Sequence, residues 1–88
     1  MSYILDFTKQ AKEDIEFFQK TGNKAVLTKI YTLLGEIMES PFVGTGKPEP
    51  LKYDLAGYWS RRINREHRLV YEVTEEIIII LSLKGHYN

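Results

Sequence analysis

The sequence contains no cysteine and carries no net charge at neutral pH, because 12 Lys and Arg balance 12 Asp and Glu. Without cysteine, neither a disulfide framework nor a thiolate metal site can form, and this composition is typical of a reducing cytosol. Without an excess of charge, the surface as a whole does not attract nucleic acid strongly. The 43% hydrophobic and 27% charged residues indicate an ordinary globular protein.

Long hydrophobic runs are absent as well. The longest, "IIIIL" at 77–81, is far too short to span a bilayer, and "MSYILDF" has neither the basic nor the apolar region of a signal peptide. We therefore expect a cytoplasmic protein with no membrane partner. A length of 88 residues predicts one domain, residues 1–88, with a modest core.

Two stretches in the first half have the spacing of amphipathic helices. A short alternating strand in "SYILDF" precedes Thr8, which can cap a first helix with one apolar stripe and a solvated polar face. At "TGNK", Gly22 can leave that helix and Asn23 can cap the next one. The residue before Pro41 avoids the helical region, so the second helix ends there. We predict two antiparallel helices joined by a tight turn.

The second half changes to a period of two, which predicts strands. We expect strands in "LKYDL", "YWSRRIN", "RLVYEV" and "IIIILSL", joined by short turns. The last run lacks alternation, which favours a central strand covered on both faces. The predicted fold class is α+β, with two N-terminal helices packed on a mostly antiparallel sheet.

The loop "PFVGTGKPEP" at 41–50 contains a candidate acid–base residue. It is not a phosphate-cradling glycine loop, because such loops open a helix that Pro48 and Pro50 forbid. The same prolines hold Glu49 on a stiff, extended backbone, and a general base benefits from being held in place. A solvated loop glutamate without a special role is the alternative.

Positive charge is concentrated in the middle of the chain. Residues 44–68 hold six Lys or Arg against three acids, a net +3, and both flanking segments are negative. Arg61 and Arg62 are adjacent in a predicted strand and must point to opposite faces, so without a bulge only one can share a surface with Arg68. Two or three cations beside Glu49 would form an anion site suited to a phosphodiester, with ordinary surface ion pairing as the alternative.

Histidine and aromatic residues supply the other candidates. His86 and Tyr87, in "KGHYN", form an idle tail unless the preceding strand returns them to the arginine-bearing sheet. There the histidine could donate a proton and the tyrosine could stack on a base. His67 has a structural or contact role in this interpretation, and Trp59 and Tyr71 belong to the core.

Four segments together resemble one family. "GKPEPLK", "LAGYWSRRI", "EHRLVYEV" and the ending "HY" look like the YoeB/Txe group of toxins in the RelE superfamily. The resemblance implies a RelE-like fold with helices on a curved sheet. It also implies a ribonuclease of a type II toxin–antitoxin pair, which cleaves messenger RNA in the ribosomal A site. The implied partners are the ribosome, messenger RNA and a cognate acidic antitoxin, and neither a metal nor a small-molecule cofactor is required.

Residue roles follow from the same resemblance. Glu49 removes the proton from a ribose 2′-hydroxyl, Arg68 stabilises the charge at phosphorus, and His86 protonates the leaving oxygen. The positions implied to contact RNA or its phosphate are Lys52, Arg62 and Tyr87.

The chain departs from the family pattern at Thr45, where a second basic residue is frequent, at Tyr53, where histidine can occur, and at Gly85, where bulkier residues occur. These departures leave the acid, the base and the arginine intact. The alternative function is a non-catalytic interaction module of the same fold, such as a gyrase-binding toxin. The joint presence of Glu49, Arg68 and a terminal His86 favours the nuclease. We also expect a disordered antitoxin segment to fold over the sheet edge and displace His86 and Tyr87.

Overall fold

A computed structural model describes residues 2–52 and 57–85. The elements in chain order are β1 (Ile4–Phe7), α1 (Lys9–Lys20), α2 (Lys24–Glu39), β2 (Glu49–Pro50), β3 (Tyr58–Arg62), β4 (Arg68–Val73) and β5 (Ile77–Ser82). The strands form a five-stranded sheet in the order β1-β5-β4-β3-β2. β1 pairs with β5 in parallel, and the other pairings are antiparallel. The predicted class, two helices on a mostly antiparallel sheet, is confirmed.

Both helices begin at the predicted caps. The Thr8 side chain accepts a hydrogen bond from the Ala11 amide at 3.1 Å, and the Asn23 side chain accepts one from the Val26 amide at 3.2 Å. These bonds satisfy amides that have no partner within the helix. The second helix ends at Glu39, just before the Ser40-Pro41 step that was predicted to stop it. In the described ranges, no helix has the length and apolar character that crossing a membrane requires.

One core lies between the two helices and one face of the sheet, which we call the inner face. Fully buried apolar side chains of this core come from both helices and from β4, β5 and the residues that follow them; the largest are Phe18, Ile30, Leu33, Ile37, Leu69, Tyr71, Ile78, Ile80 and Leu83. Trp59 packs against this cluster, as predicted for the two strand aromatics. The opposite, outer face of the sheet is the surface that both helices leave free.

The last strand is interior to the sheet, as predicted, because β5 lies between β1 and β4. Its cover is less complete than predicted. Ile78 and Ile80 are buried on the inner face, whereas Ile79 and Leu81 are only half-buried. The apolar run "IIIIL" therefore reflects the interior position of β5 more than full cover on both faces.

The predicted strand in "LKYDL" is placed too late in the chain. The short strand that pairs with β3 is Glu49–Pro50, Leu51 and Lys52 follow it, and residues 53–56 lie outside the described ranges. Proline can occupy this strand because β2 is at the edge of the sheet, where a missing amide donor costs little. The Leu51 amide still donates to the Tyr58 carbonyl at 2.8 Å, which prolongs the contact between the two strands.

Candidate active site

The strand register places Glu49, Arg62 and Arg68 on the outer face. Arg62 is paired directly with Arg68, and Glu49 is paired with Ser60, two positions before Arg62. Paired residues of antiparallel strands project to the same side, with Cβ atoms roughly 4.5–5.5 Å apart, and diagonal neighbours are roughly 7–8 Å apart. The buried Arg61, one position away, marks the inner side. A base candidate and two cations therefore share one surface.

Two side chains in the middle of this surface are buried. Ser60 and Val70, paired with each other between Glu49 and the arginines, are each 2% exposed. Around them, Glu49 and Arg62 are exposed and Arg68 is half-exposed. The charged side chains thus lie next to an uncharged, buried pair, where one anionic ligand could approach several of them.

The charged groups of the outer face are not used in ion pairs among themselves. Within residues 2–52 and 57–85, the one ion pair between permanently charged side chains is Arg61–Glu36 at 3.1 Å, and His67 lies 4.0 Å from Glu66. In this part of the chain Arg62 and Arg68 have no ion pair, and Arg61 is the fully buried member of its pair, so the surface pairing considered as the alternative is not seen there. Like charges directly opposite each other destabilise a sheet, and an anion bound between Arg62 and Arg68 would remove that cost.

Of the remaining predicted site residues, the structure describes Lys52 but neither His86 nor Tyr87. Lys52 is exposed and follows the edge strand by two positions, close in sequence to Glu49. His86 and Tyr87 lie outside the described residues. The chain before them is described up to Gly85, whose carbonyl accepts a hydrogen bond from the Arg68 amide at 2.8 Å. The residue that precedes His86 is therefore bonded to the backbone of the proposed catalytic arginine.

Arg61 serves the loop that leads to Glu49 and does not join the outer face. Its side chain is fully buried, and all five N–H groups of the guanidinium have acceptors. They donate to the Tyr71 hydroxyl at 3.2 Å, Glu36 Oε1 at 3.1 Å, and the carbonyls of Thr45 at 3.3 Å, Ser40 at 2.6 Å and Val43 at 2.8 Å. Three of the five acceptors are carbonyls of one loop. The guanidinium is thus the internal framework of residues 40–45.

Glu36 and Thr45 complete that framework. The hydroxyl of Thr45 donates to Glu36 Oε2 at 2.7 Å, and its amide donates to Oε1 at 2.8 Å. These two bonds, together with the nearby Arg61, lower the pKa of the Glu36 carboxyl group. The carboxylate is therefore held in its charged form beside a buried cation. The departure from the family pattern at Thr45 has a structural consequence here, because this side chain satisfies an internal carboxylate.

The hydroxyl of Tyr71 fixes the start of the same loop by donating to the Pro41 carbonyl at 2.6 Å. Burial raises the pKa of Tyr71, although its contact with Arg61 acts in the opposite direction. At the other end of the loop, the Arg62 amide donates to the Gly46 carbonyl at 2.7 Å. The loop is thus attached at both ends to strands that carry the outer-face residues.

Asp14 was predicted to lie on a solvated helix face, and this is wrong. It is 3% exposed, its Oδ2 accepts the Leu83 amide at 2.9 Å, and its Oδ1 accepts the side-chain amide of Gln10 at 2.8 Å. The sequence did contain a signal, because Asp14 follows Ala11 by three positions and precedes Phe18 by four. That spacing places Asp14 on the apolar stripe.

Comparison with known proteins finds one family over most of the chain. Residues 7–87 match the family described as YoeB-like toxin of bacterial type II toxin-antitoxin system. Toxin YoeB of Synechocystis sp. is 48% identical over 82 residues, which cover 93% of this chain and 94% of the relative.

Two solved structures support the same assignment. The YoeB/ParE toxin from Agrobacterium tumefaciens has a TM-score of 0.89 at 42% identity, covering 96% of this chain and 99% of that one. The toxin in a YoeB-YefM complex from Staphylococcus aureus has a TM-score of 0.85 at 48% identity, covering 99% and 100%. The chain therefore belongs to the YoeB-like toxins of bacterial type II toxin–antitoxin systems.

Proposed function

We propose that this toxin is an endoribonuclease that cleaves messenger RNA in the ribosomal A site and so inhibits translation. The observation that carries the proposal is the shared position of Glu49, Arg62 and Arg68 on the outer face. A carboxylate and two cations within reach of one phosphodiester are the groups that transfer to the 2′-hydroxyl requires. The family resemblance supports the same chemistry.

The proposed reaction uses groups of the chain alone. Glu49 takes the proton of the ribose 2′-hydroxyl, and the resulting oxygen attacks the adjacent phosphorus. Arg68, assisted by Arg62 and Lys52, stabilises the negative charge that develops on the phosphoryl oxygens. His86 gives a proton to the departing 5′-oxygen. The products are a 2′,3′-cyclic phosphate and a 5′-hydroxyl, and Tyr87 would stack on a neighbouring base.

The ribosome supplies what the chain does not. A general acid and a general base each contribute roughly 10²–10⁴-fold, and a positioned cation roughly 10²–10³-fold. A protein without net charge binds free RNA weakly, because affinity for nucleic acid comes largely from neutralised phosphates. Binding within the A site would orient the message and supply the remaining rate by proximity.

The proposal includes a cognate acidic antitoxin. The family pairs toxins with antitoxins, and the Staphylococcus aureus relative was solved as a YoeB-YefM complex. Residues 44–68 carry a net charge of +3, and the outer-face arginines Arg62 and Arg68 lie within this segment. An acidic segment covering Arg62 and Arg68 would neutralise the same groups that bind the message.

Cleavage mapping on translating ribosomes with purified toxin tests the proposal. We expect breaks in the A-site codon, with cyclic phosphate ends, and losses of at least about 100-fold for Glu49→Gln and for Arg68→Ala. The matched controls, Glu75→Gln and Arg65→Ala, change exposed residues away from the outer-face pairs and should cleave like the unaltered protein. Unchanged cleavage by Glu49→Gln would remove the proposed base, and absence of any cleavage would favour a non-catalytic toxin.

A further inference from the structure

Three residues connect the last strand to His86, and we call them the C-terminal anchor (Leu83–Gly85). Leu83 is fully buried, and its amide donates to Oδ2 of the buried Asp14 at 2.9 Å. The ammonium group of Lys84 lies 3.8 Å from the centroid of the Phe17 ring, a cation–π contact on the protein surface. The first two residues of the anchor are thus fixed to α1.

The third residue of the anchor is fixed by His67. The Gly85 amide donates to Nδ1 of His67 at 2.9 Å, and the Gly85 carbonyl accepts from the amide of Arg68 at 2.8 Å. Gly85 has a φ of +80°, a conformation that a side chain would strain. Both polar backbone atoms of this exposed residue are therefore engaged by two successive residues at the start of β4.

The imidazole of His67 is itself held in one orientation. Its ring meets the ring of Phe18 edge to face, with centroids 5.0 Å apart, and its side chain is only 15% exposed. Because Nδ1 accepts the Gly85 amide, the proton of the neutral ring is on Nε2, 4.0 Å from the carboxylate of Glu66. The amides of Ile63 and Asn64 both donate to the His67 carbonyl. This turn fixes the backbone from which the ring projects.

We propose that His67 is a positioning residue for His86. Its Nδ1 fixes the Gly85 amide, so that the Gly85 carbonyl meets the amide of Arg68. The carbonyl carbon of Gly85 is bonded directly to the nitrogen of His86, so orientation of this peptide sets the point from which the proposed acid extends. The inference rests on the proposed function, in which His86 and Arg68 act on one phosphodiester.

Two variants, whose new side chains have the same number of heavy atoms, distinguish the role of Nδ1 as a hydrogen-bond acceptor from the packing role of the ring. His67→Asn keeps an acceptor, because its Oδ1 is attached to Cγ as Nδ1 is. His67→Leu fills the space beside Phe18 and offers no acceptor. A residue that only packs would be replaced better by leucine. A residue that positions the anchor would be replaced better by asparagine.

The first measurement is cleavage on translating ribosomes at saturating and limiting toxin. We expect His67→Leu to lower kcat roughly 10–100-fold with little change in KM, and His67→Asn to retain activity within a few-fold, because small displacements of reacting groups cost rate and not binding. Equal losses in both variants, or higher activity in His67→Leu, would overturn the proposal. Thermal unfolding of both variants verifies that each is folded at the assay temperature.

The second measurement does not depend on nuclease activity. Hydrogen exchange of the Gly85 amide, followed by NMR on isotope-labelled toxin without ribosomes, reports the bond to His67 directly. We expect protection in the unaltered protein and in His67→Asn, and faster exchange in His67→Leu. Equal exchange in all three proteins would refute the anchor. If the anchor holds while Glu49→Gln and Arg68→Ala cleave normally, the proposed function is wrong and the role of His67 in fixing Gly85 stands.

Discussion

Replacement of Arg61 by lysine should destabilise the protein strongly, although it keeps the charge. Arg61 is fully buried and donates five hydrogen bonds, three of them to carbonyls of the loop. A lysine ammonium has three N–H groups on a compact head, so at least two of the five acceptors must lose their partner. The guanidinium itself is buried, but four of its five hydrogen bonds are only part-buried, so water can reach some of the freed acceptors and the cost is that of the lost bonds.

The expected magnitude follows from those two bonds. At roughly 0.5–1.5 kcal/mol each, their loss lowers the free energy of unfolding by about 1–3 kcal/mol. A protein of 88 residues has a total of roughly 4–13 kcal/mol, so the change is a large fraction of the whole. For a domain of this size it corresponds to a fall in Tm of roughly 5–20 °C.

Thermal and urea unfolding of Arg61→Lys measure the effect, and the neighbouring position provides a matched control. Arg62→Lys makes the same chemical change one residue later, on the exposed outer face, and should alter Tm by no more than about 2 °C, as surface substitutions do. At a temperature where both variants are folded and the loop of Arg61→Lys keeps its position, cleavage should fall more in Arg62→Lys, because Arg62 lies on the outer face. Equal changes in Tm for the two variants would refute the structural role assigned to Arg61.

Three further predictions address the loop and the outer face. Since the folded-state pKa of Glu36 lies below its ordinary value of 4.5, its stabilisation is present above that pH and is lost as the pH falls through the folded pKa; Glu36→Gln should therefore flatten the decrease of the urea midpoint in acid. Gly46→Ala should lower the free energy of unfolding in urea by roughly 1–3 kcal/mol, because φ is +83° and a Cβ would lie 2.9 Å from the Arg62 carbonyl oxygen. Its control is Gly35→Ala, within α2 and with open space around it, which should stabilise the protein slightly. Association with the antitoxin, followed by surface plasmon resonance, should slow at high salt and in Arg62→Ala but not in Arg65→Ala.

The helices and their limits could be predicted from the sequence because their causes are local. The caps Thr8 and Asn23 act on amides three positions later, and Pro41 acts on the residue before it. The place of β2 could not be predicted in the same way. Its pairing depends on the distant β3, and the prolines that favour an extended chain at Glu49 also conceal the strand from a pattern of alternating residues.

The candidate site was predicted in part for a similar reason. Alternation along one strand separates Arg61 from Arg62, but only the register with β4 shows that Arg62 faces Arg68. The roles of Asp14 and His67 depend on backbone amides at Leu83 and Gly85, about 69 and 18 positions away in the chain. Every residue except proline can donate its backbone amide. The residue types at Leu83 and Gly85 therefore do not indicate these two hydrogen bonds.

The dipeptide Arg61-Arg62 connects the loop framework with the outer face. Because successive strand residues point to opposite faces, Arg61 points to the inner face and Arg62 to the outer face. The buried guanidinium holds the carbonyls of Ser40, Val43 and Thr45, while the backbone amide of Arg62 holds the carbonyl of Gly46. One short piece of β3 thus fixes the loop before Glu49 and presents a cation beside it. A shift of β3 by one residue would exchange the two arginines and remove both the framework and the proposed anion site, so the function we propose depends on the register of this strand.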